Sequence, residues 1–151
     1  MGTPARKNIL DNVGTVLNTI TTGNGYKTTL ATVEAFTKGW GDMGSGAKPF
    51  VGYAPGPERL QFLPGNQIRV RLDLIITCHI SGTTQDARSV ALNNLLDDLI
   101  AALNLDTTRG GHAVSTTITQ AETDEGSPDA NHEGSMLVRA EVVYFRNTSS
   151  S

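Results

Sequence analysis

The sequence predicts an α+β fold in which two amphipathic helices pack on one face of a mostly antiparallel sheet. Three observations predict this class. Every second residue from Ile68 to Ile80 is apolar, two other segments carry apolar residues at helical spacing, and the remaining runs have the composition of strands. Because only two helices separate the runs of strands, a doubly wound parallel sheet is not expected. The predicted order is α-β-β-hairpin-α-β-β.

The first half of the chain begins with a predicted helix over about residues 4–21, where apolar residues recur on one helical face. A glycine of the following TTGNG, Gly23 or Gly25, can take the positive φ that ends it. Residues 26–36 are rich in Thr, Val and aromatic residues and predict a strand. A Gly-rich loop at 39–48 follows, and residues 49–54 predict a second short strand.

A long hairpin gives the clearest pattern. The segment ERLQF, 58–62, is expected to turn at Pro64–Gly65, the central pair of a type II turn, into a strand over 68–80. One face of that strand is predicted to be core and carries Ile68, Val70, Leu72, Leu74, Ile76, Cys78 and Ile80. The other face carries Arg69, Arg71, Asp73, Ile75, Thr77 and His79. This period of two predicts a strand with one buried face.

The second half predicts a helix and two strands. The helix has Thr83 or Thr84 as N-cap and extends to about residue 104. Its apolar stripe consists of Leu92, Leu95, Leu96, Leu99, Ile100 and Leu103. Strands are predicted at 113–122 and 135–147. In the last strand the inner face carries Met136, Val138, Ala140, Val142 and Tyr144, and the outer face carries Leu137, Arg139, Glu141, Val143 and Phe145.

Length and charge set limits on function. A chain of 151 residues predicts one domain, 1–151, with flexible ends at about 1–5 and 147–151. The net charge of −3 gives no reason to expect a nucleic-acid or membrane-binding surface. The single cysteine, Cys78, excludes an internal disulfide and a Cys-based metal site. The polar N-terminus is not typical of a signal peptide, and no run is long enough to cross a bilayer.

The residues that carry chemistry do not form a recognisable catalytic or metal-binding motif. His79, His112 and His132 have no spacing that pairs them with a nucleophile or a zinc ion. The acidic TDEGSPDANHEG does not follow the calcium-loop pattern. We therefore expect neither catalysis nor a metal or cofactor. In LNLDTTRGGHAV, the pattern indicates a helix end and a tight turn at Gly110–Gly111, and leaves Asp106 without an obvious local role.

Three stretches of the sequence together resemble the tail terminator (tail completion) proteins of long-tailed bacteriophages, a group that includes the lambda tail terminator. They are GNGYKTTLATVEAF after the first helix, PGPERLQFLPG leading into RVRLDLII, and LNNLLDDLIAALNLDTTRGGHA followed by TITQAETDEG and VRAEVVYFR. The resemblance extends from about Ile9 to Arg146. ALNLDTTRGG and TDEG…Y are its strongest pieces.

The resemblance implies a structural virion protein, made in the host cytoplasm, that forms a sixfold ring on the head-proximal end of the tail tube. Such a ring stops tube polymerisation and joins the head–tail connector, while DNA passes through its lumen without specific binding. No membrane is involved. The resemblance also places Asp106, Arg109, Gly110 and Gly111 in a turn near subunit or tube contacts, and Asp124 and Glu125 in a loop near them.

The residues themselves are compatible with a ring, which needs the front of one copy to match the back of the next. Arg69, Arg71 and Asp73 on one strand, and Arg139 and Glu141 on another, supply charges for such contacts. Apolar residues expected among them are Ile75, Leu137, Val143 and Phe145. The same faces could equally be the solvent side of a half-covered sheet. The alternative functions are another head–tail connection (neck or head-closure) protein and a small α+β enzyme.

Overall fold

A computed structural model describes residues 5–30, 32–35, 49–124 and 133–147. The elements are, in chain order, α1 (Ala5–Leu17), β1 (Thr32–Glu34), β2 (Phe50–Leu63), β3 (Gln67–Ser81), α2 (Gln85–Leu105), β4 (Ser115–Asp124) and β5 (Glu133–Asn147). Of the ends expected to be flexible, Ala5 begins α1 and Asn147 ends β5, while residues 1–4 and 148–151 lie outside the described residues.

The described strands form a five-stranded sheet in the order β1-β2-β3-β5-β4. β1 runs parallel to the start of β2, and the other neighbours are antiparallel. β3 pairs with β5 along its whole length, from Gln67 opposite Asn147 to Ser81 opposite Glu133. The predicted α+β class is therefore confirmed. Among the described residues, neither helix has the length and apolarity that crossing a bilayer requires.

The sheet face beneath the helices forms the core. On β3 the predicted inner residues Val70, Leu72, Leu74, Ile76 and Cys78 are all fully buried. The inner face of β5 and residues of both helices complete the core, with Met136, Val138, Ala140, Val142, Tyr144, Ile9, Val13, Leu17, Leu92, Leu95, Leu99 and Leu103. The face assignments of both long strands are confirmed.

The apolar stripe of α2 is narrower than predicted. Ile100 is exposed and Leu96 is only partly buried, whereas Ala102 is buried. Leu92, Leu95, Leu99 and Ala102 follow a 3-4-3 spacing, which keeps one line of side chains against the sheet. Positions 96 and 100 fall on the flank of that line.

The segment predicted as a strand at 26–36 is strand only at Thr32–Glu34. The backbone amides of its earlier residues form hydrogen bonds with groups outside the sheet. The Lys27 amide donates to Asp98 Oδ1 at 3.0 Å, and the Leu30 amide donates to the Ile20 carbonyl at 3.2 Å. Because these backbone groups already have partners in or beside the helices, they do not form a sheet ladder.

The segments predicted separately at 49–54 and 58–62 are one strand, β2. A β-bulge between Pro55 and Glu58 joins them. Pro55 and Pro57 lack the amide hydrogens that regular pairing uses, and a bulge tolerates this loss. At Gly56 an added Cβ would lie 3.1 Å from the Asp73 carbonyl oxygen and 3.0 Å from Ile75 Cδ1. The bulge therefore depends on glycine at this close approach.

The turns follow the predicted chemistry in most places. Thr84 is the N-cap of α2 and accepts a hydrogen bond from the Ala87 amide at 3.0 Å. Gly65 has a φ of 81°, and Asn66 adds a second positive φ of 64°. α1 ends at Leu17, four residues earlier than predicted. A short 3₁₀ helix at Thr22–Asn24 follows, and it is Gly25 that takes the left-handed cap conformation.

Candidate interaction surfaces

The open face of the sheet, opposite the helices, brings together five of the residues predicted for contacts. Arg69, Arg71 and Asp73 lie on β3, and Arg139 and Glu141 lie on β5. Arg71 is exposed and the other four are partly exposed. The register pairs Asp73 with Glu141 and Ile75 with Arg139. The predicted charges therefore share one accessible face.

Two carboxylates lie directly opposite each other on this face, at Asp73 and Glu141. Like charges in such a cross-strand position repel each other. Arg59 of β2 compensates for them, because its guanidinium lies 3.5 Å from Asp73 Oδ1 and 3.2 Å from Glu141 Oε2. One arginine thus links β2, β3 and β5 across the open face.

The sequence analysis did not single out Arg59, because its position depends on the exact register of the hairpin. The Pro64–Gly65 turn places Leu63 opposite Gln67. Counting back along both strands from that pair puts Arg59 opposite Arg71. The predicted turn, with only Pro64 and Gly65 at its centre, would instead pair Leu63 with Asn66 and place Arg59 opposite Val70, so the additional turn residue Asn66 sets the observed register.

Arg59, Arg69 and Arg71 form a cluster at the turn end of the hairpin, which we call the arginine cluster. It lines a cleft of about 240 Å³ together with Leu60 and Gln61. Asp73 and Glu141 engage Arg59, but Arg69 and Arg71 form no ion pair with any described residue. Nε of Arg69 is buried without a hydrogen-bond partner within the described part of the chain. The cluster therefore carries uncompensated positive charge.

Apolar residues are exposed around the arginine cluster, but not all of those expected. Phe145 is 44% exposed, as predicted, whereas Val143 is buried at 6%. Val143 was therefore wrongly expected to be available for contacts. Leu60 and Phe62 of β2 are 52% and 70% exposed, but they lie opposite Val70 and Ile68 and therefore belong to the other face of the sheet. Phe145 lies opposite Arg69, and arginine beside an exposed aromatic side chain is a composition enriched in protein interfaces.

A buried tyrosine secures the base of this hairpin. The Tyr144 hydroxyl donates to Glu58 Oε2 at 2.8 Å, and Glu58 Oε1 forms an ion pair with Arg6 of α1 at 3.0 Å. Burial, followed by the Glu58 hydrogen bond, raises the pKa of Tyr144 to about 12. The hydroxyl therefore stays protonated and keeps β2 and β5 connected to α1.

The carboxylate of Asp106 accepts hydrogen bonds from within the turn that follows α2. Asp106 Oδ1 accepts hydrogen bonds from the Thr108 amide at 2.9 Å and the Thr108 hydroxyl at 2.5 Å, and Oδ2 accepts from the Gly110 amide at 2.9 Å. The hydroxyl, and then the two amides, lower the pKa of Asp106 to about 2. The expectation that Asp106 has no local role is therefore wrong, because its carboxylate organises the turn.

Arg109 belongs to the interior of the same turn. Its side chain is fully buried, and Nη2 donates to the carbonyls of Leu103, at 2.5 Å, and Asp106. These are among the carbonyls that the end of α2 leaves without helical partners. Arg109 itself has a φ of 52°, and Gly110 and Gly111 have φ values of 71° and 90°. The predicted tight turn is confirmed, and we leave Arg109 out of the candidate contact surface because it has no exposed area.

The remaining predicted contact residues lie at the other end of the sheet. Asp124 is the last residue of β4 and its Cα pairs with Ser135. Glu125 lies outside the described residues, as do His132 and the Gly-rich loop at 39–48. The structure therefore places the backbone of Asp124 and leaves the position of Glu125 open.

The residues considered for catalysis are dispersed. Cys78 is fully buried and burial raises the pKa of its thiol, so it does not form a thiolate at neutral pH. His79 is 2% exposed, with its ring centroid 5.9 Å from that of Phe50. His112 is exposed in the turn before β4. Within residues 5–30, 32–35, 49–124 and 133–147, no three potential metal ligands cluster.

Comparison with known proteins adds little to this picture. No protein-family model matches the chain, and no curated protein matches it. Among solved structures, a chain from "Virion of native gene transfer agent (GTA) particle" is similar, with a TM-score of 0.43 and 10% sequence identity, over 91% of this chain and 92% of that chain. Similarity at this level does not assign a family or a function.

Proposed function

We propose that the protein is a structural virion protein of the tail terminator kind. It caps the head-proximal end of a phage tail tube as a sixfold ring, stops polymerisation of the tube and provides the surface that joins the head–tail connector. Its partners are copies of itself, the tube protein and the connector, and DNA passes through the ring without specific binding. The proposal involves no catalysis and no cofactor.

The observation that carries the proposal is the charged open face of the sheet, with its exposed apolar residues. A ring requires two different surfaces on each copy, one for each neighbour. The sheet has β1 and β2 along one side and β4 along the other, and its open face lies between them. Phe145, Arg69 and Arg71 on that face supply both apolar area and charge. This arrangement supports a protein that acts by assembly.

The two ends of the sheet also differ, as a cap between two partners requires. One end carries the hairpin turn, the arginine cluster and the start of β4, since Ser115 lies opposite Val143 and Val143 opposite Arg71. The other end carries the end of β4 at Asp124 and the start of β5 at Glu133. A cap can present one end to the tube and the other to the connector.

The test is to add the purified protein to its tube protein and to tails made without it, and to image both by electron microscopy. We expect tubes of uniform length with a ring of extra density at one end, and tails that become able to join heads. Overlong tubes at saturating protein, with no added end density, would contradict the proposal. Added density only on the head connector would instead identify a neck protein.

A further inference from the structure

The arginine cluster on β2 and β3 needs a counterion that the described part of its own copy does not provide. Arg59 and Arg71 lie directly opposite each other, and Arg69 follows on the same face of β3. Like charges opposite each other destabilise a sheet. Only Arg59 has carboxylate partners among the described residues. The fold therefore keeps two guanidinium groups available beside the cleft.

The chemistry of the cluster fits carboxylates on a protein surface. Guanidinium groups bind carboxylates and phosphates in a bidentate manner. Affinity for nucleic acid depends on neutralising many phosphates, and a chain with a net charge of −3 is poorly suited to that. Phe145, which lies opposite Arg69 on the same face and is 44% exposed, favours a partner that has apolar as well as acidic side chains.

The chain itself contains such an acidic partner. Residues 122–133 include five carboxylates and no Lys or Arg; the acidic residues are Glu122, Asp124, Glu125, Asp129 and Glu133. By contrast, residues 36–48, an internal stretch outside the described residues, have one acidic residue against two lysines. Charge complementarity therefore selects residues 122–133 as the occupant.

This acidic segment cannot reach the arginine cluster of its own copy. Asp124 lies opposite Ser135, which lies opposite His79, eight residues along β3 from Arg71. At about 3.3 Å per residue this separation is about 26 Å. Asp124 and Glu133 lie at the same end of the sheet, and a connection of eight residues between them can reach at most about 16 Å from that end. Contact requires a second copy.

We propose that the acidic segment 122–133 of one copy docks on Arg59, Arg69 and Arg71 of the next copy. This inference rests on the proposed ring, and it names the contact that holds neighbouring copies together. The outer edge of β2 from Glu58 to Leu63 has no strand partner among the described residues, because β1 pairs only with Phe50–Gly52. β4, which leads into the acidic segment, is the strand at the opposite edge of the sheet. One copy can therefore offer both surfaces at once.

The test uses a synthetic peptide of residues 120–134 and the full-length chain labelled with ¹⁵N. The peptide is titrated to millimolar concentration while the arginine Nε–Hε NMR signals are followed. We expect shifts at Arg59, Arg69 and Arg71, and affinity that falls as salt is added. A control peptide with every Asp and Glu replaced by Asn and Gln should produce no shifts. Absence of shifts with the acidic peptide, or equal shifts with the control, would overturn the inference.

Charge-reversal variants locate the contact. The double variant R69E/R71E should lose affinity for the peptide by about tenfold or more. The variant K7E/K27E makes the same change in net charge at a distance from the cleft and should bind as the wild type does. If R69E/R71E melts early, R69Q/R71Q provides the same comparison without new carboxylates. Equal affinity for the wild type and the arginine variants would place the peptide elsewhere and refute the contact.

A twelve-nucleotide single-stranded DNA is the competing ligand. Tighter binding of this DNA than of the peptide, dependent on Arg69 and Arg71, would assign the cluster to nucleic acid and overturn the contact between copies. Failure of the peptide assay with normal capping of tails would refute this inference alone. Peptide binding without capping would refute the proposed function and leave a self-association contact.

Discussion

The turn at 106–111 contains Asp106 and Arg109, and the arginine cluster lies beside Asp73. Residues of both regions were expected to lie at contacts. In the turn, Asp106 and Arg109 bond to the backbone of their own loop and to the end of α2. In the cluster, Asp73 and Glu141 engage only Arg59, and two arginines have no carboxylate partner in the described part of the chain. A charged residue at the end of a helix therefore bonds within its own fold, while two on the open strand face keep exposed or unpaired guanidinium groups among the described residues.

The largest change in the free energy of unfolding is expected on the buried face of β3, and a substitution on its open face provides the comparison. We expect Leu72→Ala to lower the free energy of unfolding by about 2–5 kcal/mol, because it opens a cavity beneath the helices. Arg71→Ala, one residue away on the open face, should change it by less than about 0.5 kcal/mol. Urea unfolding followed by circular dichroism measures both. Similar losses for the two variants would mean that the face assignment is wrong.

Leu96→Ala should cost less than Leu72→Ala, since Leu96 is only partly buried.

The next effect should distinguish an arginine used for folding from one on the surface. Arg109→Met keeps most of the side-chain volume but leaves the Leu103 and Asp106 carbonyls without their donor. We expect a loss on the order of 2–4 kcal/mol. Arg139→Met on the open face is the matched control and should be nearly neutral. If both variants unfold at the same urea concentration as the wild type, the internal role of Arg109 is refuted.

A smaller effect is expected at Arg59, the charge shared between Asp73 and Glu141. Its side chain is 66% exposed, so the ion pairs are screened by solvent. Arg59→Ala should cost about 0.2–1 kcal/mol, and the loss should shrink as salt is added. Thermal melts at low and high ionic strength provide the measurement. A loss that stays constant with salt would point to packing rather than charge.

The smallest effect at neutral pH should come from Asp106→Asn, because asparagine can still accept hydrogen bonds in the turn. The difference in stability between the wild type and the variant should be present at neutral pH and shrink in acid. The folded pKa of Asp106 is lowered to about 2 from an ordinary 3.8, so its charge stabilises the fold above 3.8 and that contribution disappears as pH falls from 3.8 towards 2. The melting temperature of the wild type should therefore approach that of the variant in this window. Parallel curves throughout would show that the turn does not depend on this charge.

The sequence by itself determined the class of the fold, the faces of β3 and β5, an N-cap at Thr83 or Thr84 and the turn at Gly110–Gly111. These features depend on local rules, since strand periodicity, capping and positive φ are properties of neighbouring residues. The same rules failed at 26–36, where Lys27 bonds to Asp98 of α2, seventy-one positions away. Strand propensity is a property of the local sequence. It cannot predict that a side chain of another element will accept the hydrogen bond of a backbone amide, as Asp98 does for Lys27.

Only the tertiary structure decided which charges are available for contacts. Arg109 and Arg71 are alike in type, but one fills the end of α2 and the other lies exposed on an open strand face. Arg59 acquired its role because β2 and β5 lie on the two sides of β3, which places a guanidinium between Asp73 and Glu141. Burial and charge pairing depend on residues that are distant in sequence, and their positions are set when the sheet and helices pack together.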